Sequence, residues 1–351
     1  LIPLIGRIFA SGPERPGPQK RRAALLLGIL LLLASGSLLS SCGGGPTVAS
    51  STGRTLYLST TGGIYGFSIM SDGTLSAIST SPLVNGSYNQ IAATSGTSPI
   101  LIGANGRTSL TTWSASGGGL GSPSTLSLSG CSNMTGATGV AVTSDNSYVL
   151  VVNGGGTTNN IGSMALSGGS CVEKTTLTSS VYPVQPALDC SVANAPYCIL
   201  FLTLSSSATT NGTTPVAPEE DTFTESTGAV AALSPAVAPI SSCATSICPT
   251  GVAFNANTLY FYAAFNGGSP TLQSIPPQGT QSSQTTSFST PNLDLPCVDS
   301  IGGIAYIPTA NGYVYSVSTQ NGGGMGSPTT VLSPQTFGST LKITSCAIAG
   351  S

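Results

Sequence analysis

From Leu56 to the end of the chain, apolar residues come in short β-branched and aromatic runs set between stretches of Gly, Ser, Thr and Asn, and nothing reads as helix. Six runs stand out: Leu56-Tyr57-Leu58, Ile100-Leu101-Ile102, Val149-Leu150-Val151, Leu200-Phe201-Leu202, Tyr260-Phe261-Tyr262 and Ala305-Tyr306-Ile307. Their starts are 44, 49, 51, 60 and 45 residues apart, the spacing of propeller blades of four strands each. A weaker series precedes them: Ile91-Ala92-Ala93, Val140-Ala141-Val142, Ala187-Leu188-Asp189, Val252-Ala253-Phe254 and Cys297-Val298-Asp299. Its small side chains suit the innermost strands, where blades converge on an axis. The first strong run has no such partner ahead of it, but the chain ends in Cys346-Ala347-Ile348-Ala349, a run of the same kind. The expectation is an all-β chain forming a single β-propeller of six blades, its ring closed by the C-terminal strand so that no sheet edge stays open. A seventh, degenerate blade centred on Ala229-Val230-Ala231-Ala232-Leu233, inside the long fourth interval, is the alternative.

The first 42 residues have a different character. Lys20-Arg21-Arg22 precedes an eleven-residue apolar run, Ala23 to Leu33, shorter than the ~20 residues a helix needs to span a bilayer and suited to a signal peptide. It leads to Leu39-Ser40-Ser41-Cys42, which resembles the lipobox of bacterial lipoproteins: an aliphatic residue, two small ones and a cysteine. That resemblance implies cleavage before Cys42 and a diacylglyceryl group on its sulfur, and two or more acyl chains anchor stably where one is marginal. The divisions expected are 1–41 as signal peptide with an N-terminal extension, 42–53 as lipidated cysteine and flexible linker, and 54–351 as propeller. The twin arginine lacks the rest of a Tat signature, which leaves the Sec route. Gly43, rather than aspartate, after the anchor points to the outer membrane or cell surface of a bacterial envelope.

Removing Cys42 leaves eight cysteines, an even set as an exported, disulfide-bonded body requires. The local pairs Cys190 with Cys198 and Cys243 with Cys248, together with Cys131 with Cys171 and Cys297 with Cys346, form one of about 105 possible connectivities. In the last pair a bridge would lock the closing strand to its neighbour.

An internal repeat, SGGGLGSPST from Ser116 against NGGGMGSPTT from Asn321, is offset by 205 residues, as are the strong runs at Ile100 and Ala305. Its glycines and proline suit a turn between the outer two strands of a blade. The stretch Gly139 to Asn153 (GVAVTSDNSYVLVVN) resembles the repeat of lactonase-like, YVTN-type propellers, and Gly66-Phe67-Ser68-Ile69 with Ser71-Asp72-Gly73-Thr74-Leu75-Ser76 looks like its second half. The resemblance implies a propeller fold; activity does not transfer with it.

Composition narrows the chemistry. The chain has no histidine, which excludes Ser-His-Asp and Cys-His catalysis and the usual zinc sites. Beyond Cys42 the basic residues are Arg54, Arg107, Lys174 and Lys342 against ten acidic ones, a net charge of 4 − 10 = −6 that makes nucleic acid a poor partner. Carboxylates remain. Asp189 and Asp299 fall on expected innermost strands, where a central channel could hold Ca²⁺ through oxygen ligands. The competing reading makes them hydrogen-bonded strand-end residues, and no catalytic residue is assigned. Glu219-Glu220-Asp221 with Glu225 reads as a solvated loop, and Trp113 as blade packing. The function expected is a lipid-anchored binding or scaffold module for an envelope protein or polysaccharide, the membrane being reached through the anchor. The alternative is a lactonase-like or metal-dependent hydrolase using carboxylates in the funnel.

Overall fold

The computed structural model describes residues 49–350, apart from 132–133, 135, 154–159, 177–181, 192–196, 207–214, 233–247, 267–268, 278–283, 291 and 338–340. Residues 1–48, Cys42 among them, and Cys243 and Leu233 lie outside the described residues. Among those described, no helix is long and apolar enough to cross a membrane.

Six antiparallel sheets make a six-bladed propeller. From the inside outward, blade 1 is β25 (Ile343–Ala349), β1 (Ser51–Thr60), β2 (Gly63–Met70) and β3 (Leu75–Ala77), with β4 (Val84–Asn85) also paired to β2. Blade 2 is β5 (Gln90–Ala93), β6 (Ile100–Ala104), β7 (Ser109–Ser114) and β8 (Ser124–Ser127). Blade 3 is β9 (Gly139–Val142), β10 (Tyr148–Asn153), β11 (Asn160–Ala165) and β12 (Val172–Thr176). Blade 4 is β13 (Tyr182–Asp189), β14 (Cys198–Ser205), β15 (Pro215–Thr224) and β16 (Ala229–Ala232). Blade 5 is β17 (Pro249–Asn255), β18 (Tyr260–Phe265), β19 (Thr271–Ile275) and β20 (Gln284–Ser287). Blade 6 is β21 (Cys297–Asp299), β22 (Ile304–Pro308), β23 (Val314–Ser318) and β24 (Thr329–Leu332). The run at Ala229 is therefore the outer strand of blade 4, pairing with β15, and not the start of a seventh blade.

The strong runs are the second strands, and their continuous hydrophobicity has a simple cause. Each second strand is buried on both faces, so it does not alternate apolar with polar. Leu56 and Leu58 pack toward blade 6, while Tyr57 between them packs toward blade 2. Leu200 and Leu202 face blade 3, and Ile199 and Phe201 face blade 5. The core is consequently a ring of six apolar layers, one between each pair of neighbouring blades.

The glycine-rich repeat proves to be part of this layering. Its two copies lie between β7 and β8 and between β23 and β24. Gly118 and Gly323 sit there at φ +82° and +75°, a region that costs other residues ~1–2 kcal/mol, and both press against the preceding blade. A Cβ at Gly323 would approach the Tyr260 ring to 2.8 Å, and one at Gly118 would approach Ile78 to 2.7 Å. The repeat is a wedge that lets one blade's outer turn tuck under its neighbour.

Ring closure is held by several contacts around the meeting of blades 6 and 1. Strand β25 pairs antiparallel with β1 from Thr55↔Ala349 to Thr60↔Ile343. Cys346 on β25 is bonded to Cys297 on β21. Tyr306 of blade 6 donates its hydroxyl to the carbonyl of Gly73 in blade 1 at 3.1 Å. Two further disulfides, Cys131–Cys171 and Cys190–Cys198, fasten blades 3 and 4, and Cys248 is also disulfide-bonded.

Candidate functional site

The six innermost strands surround an axial channel of about 210 Å³. Its wall is Ile, Ala, Val, Leu, Pro, Phe and the Cys297–Cys346 pair, with Gln90 and Gln185 as the polar side chains. Both amide oxygens are already engaged. Gln90 of blade 2 accepts from the Val140 N–H of blade 3 at 2.9 Å, and Gln185 of blade 4 accepts from the Val252 N–H of blade 5 at 2.7 Å. Ser345 of β25 accepts from the Ile91 N–H of blade 2 in the same manner. Innermost strands use one edge to pair within their own blade, and these side chains satisfy backbone N–H groups that point at the next. Sequence reading passed over them; the signal available was a polar side chain opening an otherwise small, apolar innermost run.

Asp189 and Asp299 stand at the ends of β13 and β21, as expected, but neither lines the channel. They belong to blades 4 and 6, with blade 5 between them, and do not form a joint site. Asp189 accepts from the backbone N–H and hydroxyl of Ser191, a local turn at the end of its strand. Asp299 is fully buried and paired with Arg54, whose Nη1 lies 2.5 Å from Oδ1; the Gly302 N–H donates to the same oxygen at 3.0 Å. Burial pushes the Asp299 carboxyl up, and the Gly302 bond and the guanidinium hold it down in part. A calcium ion at Asp299 would sit against that guanidinium, so the donor set does not fit Ca²⁺. The pair instead spans the junction of blade 6 with blade 1.

The acidic run is placed differently from expectation. Glu219, Glu220 and Asp221 lie on β15, a full member of blade 4, and Glu220 and Asp221 are buried. Asp221 pairs with Leu200 on one side and Ala232 on the other. Burial, and then the neighbouring Glu219, lift the Asp221 carboxyl from 3.8 to about 7; burial also raises Glu219. The solvated-loop expectation is corrected here: Pro215 and Pro218 lie at the start of β15, before the part that pairs with β16, and Thr favours a strand. Nearby, Glu225 is raised by burial and by the charge and hydrogen bond of Asp145 in blade 3. Asp145 is held low against burial by bonds from Ser147 and Thr143. Glu225 approaches Cys190 and Cys198 within 4.8 Å, but these sulfurs are bonded to each other and offer no thiolate.

A second cavity, of about 390 Å³, opens between blades 1 and 2. Gly53, Thr55, Gly96, Thr97, Ser116 and Gly117 are among its walls, and no titratable side chain faces it. It offers backbone and hydroxyl hydrogen bonds and no general acid or base.

No family model matches the chain, and no curated protein sequence matches it. Solved structures do. The chain is similar to a component of a nidogen/laminin complex with a TM-score of 0.55 at 11% identity, covering 84% of this chain and 98% of that one. A 6-phosphogluconolactonase-like protein of Bacteroides uniformis gives 0.50 at 15% identity over 78% and 82%. A protein from Lactobacillus plantarum gives 0.50 at 12% over 84% and 99%. At these identities the likeness establishes the propeller fold.

Proposed function

We propose that this chain is a non-catalytic binding module, a β-propeller held at the bacterial envelope by a lipid on Cys42, that engages an envelope protein or polysaccharide through its loops. The observation that carries this reading is the channel: six innermost strands converge on a wall with no titratable side chain, and the oxygens of its two amides already accept from backbone N–H groups. Hydrolysis at neutral pH needs a group placed to accept a proton or polarise a carbonyl. Asp189 is committed to Ser191 and Asp299 to Arg54. Supporting the anchor are the lipobox and the even number of cysteines left once Cys42 is set aside. The testing experiment is crosslinking in intact cells followed by identification of what copurifies. One recurrent envelope complex or glycan is expected; recovery of none would overturn the reading.

A lactonase-like hydrolase is the second reading, favoured by the fold likeness to the 6-phosphogluconolactonase-like protein. It requires a catalytic group away from the channel.

A further inference from the structure

The two ends of the propeller differ in kind. In every blade the first-to-second and third-to-fourth strand turns lie at one end, and the remaining connections lie at the other. Among the described residues, the exposed large apolar side chains are Ile100, Val172, Leu259 and Ile301. All four are at the first end. Ile100 and Val172 open β6 and β12, while Leu259 and Ile301 are in the turns β17–β18 and β21–β22. Ile301 is 65% exposed. Among the residues whose burial is described, the exposed basic ones, Arg107 and Lys342, lie at the opposite end.

Folding does not account for Leu259. It closes a four-residue turn at φ +58°, 48% exposed, and the matching position in blade 6 is Gly303 at φ +62°. A leucine there bears the left-handed cost with 48% of its surface left exposed. Its turn is fastened to the one that carries Ile301: the Ala256 N–H donates to Ser300 Oγ at 3.2 Å, and the Asn257 amide donates to the Ser300 carbonyl. Two apolar side chains are thus held outward on a braced support.

The chain also enters and leaves the propeller at this end, since β1 starts there and β25 finishes there. Ser51 is nine residues past Cys42, a tether of at most ~30 Å. We infer that the end bearing Ile100, Val172, Leu259 and Ile301 rests on the bilayer surface, its apolar side chains entering the interface, so that the opposite loops face outward to a partner. The inference builds on the lipid anchor proposed above. Exposed Asp72 and Asp145 sit at the same end, which favours a zwitterionic surface over an anionic one.

The test uses the full chain, purified from membranes and reconstituted in vesicles of brominated phosphatidylcholine, with mass spectrometry recording acylation. Tryptophan replaces Ile301 in one variant and Arg107 in another; native Trp113, 2% exposed, is the internal reference. Emission from the Ile301→Trp protein should shift to the blue and be quenched, and that from Arg107→Trp should do neither. An acylated protein in which both positions behave alike overturns the end-on contact and leaves the anchor intact. Quenching at position 301 in a protein without acyl chains, added to preformed vesicles, supports the contact and removes the anchor. With neither acylation nor quenching, both fall.

Discussion

Replacing Asp221 by asparagine should stabilise the protein at neutral and alkaline pH and leave it nearly unchanged in acid. Strand β15 puts this carboxyl 4% exposed in blade 4, where burial and then Glu219 raise it from 3.8 to about 7. Between about pH 4 and pH 7 the native state therefore keeps a proton that the unfolded chain has released, and stability falls as pH rises through that window. Each unit corresponds to about 1.4 kcal/mol, so roughly three units give a ceiling of about 4 kcal/mol, fully expressed above about pH 7. The titration is shared with Glu219, which lowers the share borne by Asp221 alone. Asparagine keeps the shape and has no charge to bury. Urea denaturation of both proteins with disulfides intact, at about pH 4, 6 and 8, measures the effect, with an unchanged m-value confirming a comparable unfolding reaction. The expected result is a gap that is small at the lowest pH and widens to a few kcal/mol at the highest. An Asp221→Asn protein less stable than the parent at about pH 8, or one with the same pH slope, would show that Asp221 is ionised and compensated in the native state.

Three further perturbations probe other parts of the account. Arg54→Met leaves Asp299 buried without its cation and should cost ~3–5 kcal/mol in the same denaturation assay; a change under about 1 kcal/mol, the worth of an exposed pair, would mean the pair is solvated. Replacing both Cys297 and Cys346 by alanine removes a bridge across 49 residues and should lower stability by about 4 kcal/mol on chain-entropy grounds, with earlier amide exchange in β25 as the local sign. Leu259→Asn relieves a left-handed, half-exposed leucine and should raise stability by about 1 kcal/mol; a loss would mean that Leu259 belongs to the core.

The architecture was legible because propeller blades repeat one simple demand. Second strands are sandwiched between neighbours, so Leu56-Tyr57-Leu58 and its five counterparts appear as unbroken apolar runs, and small innermost strands such as Ile91-Ala92-Ala93 precede them at short range. Closure by Cys346-Ala347-Ile348-Ala349 could be read from the missing partner of the first run, and β25 does pair with β1. The site was less legible, since its determinants are non-local. Asp299 could be assigned to an innermost strand, but its partner Arg54 lies 245 residues away, and no spacing rule connects them. The acidic run was misplaced for a different reason: three consecutive acidic residues break apolar alternation, and only the partner strands β14 and β16 define β15. Gln90 and Gln185 look like ordinary surface amides until the neighbouring blade supplies the N–H groups they accept from.

The central claim is that this propeller binds without catalysing, and lactone hydrolysis by the purified, disulfide-intact protein tests it most directly. Gluconolactone and 6-phosphogluconolactone opening should match the spontaneous rate with the parent protein and with an Asp189→Asn, Asp299→Asn double variant alike. Turnover above that rate by the parent protein would contradict the account.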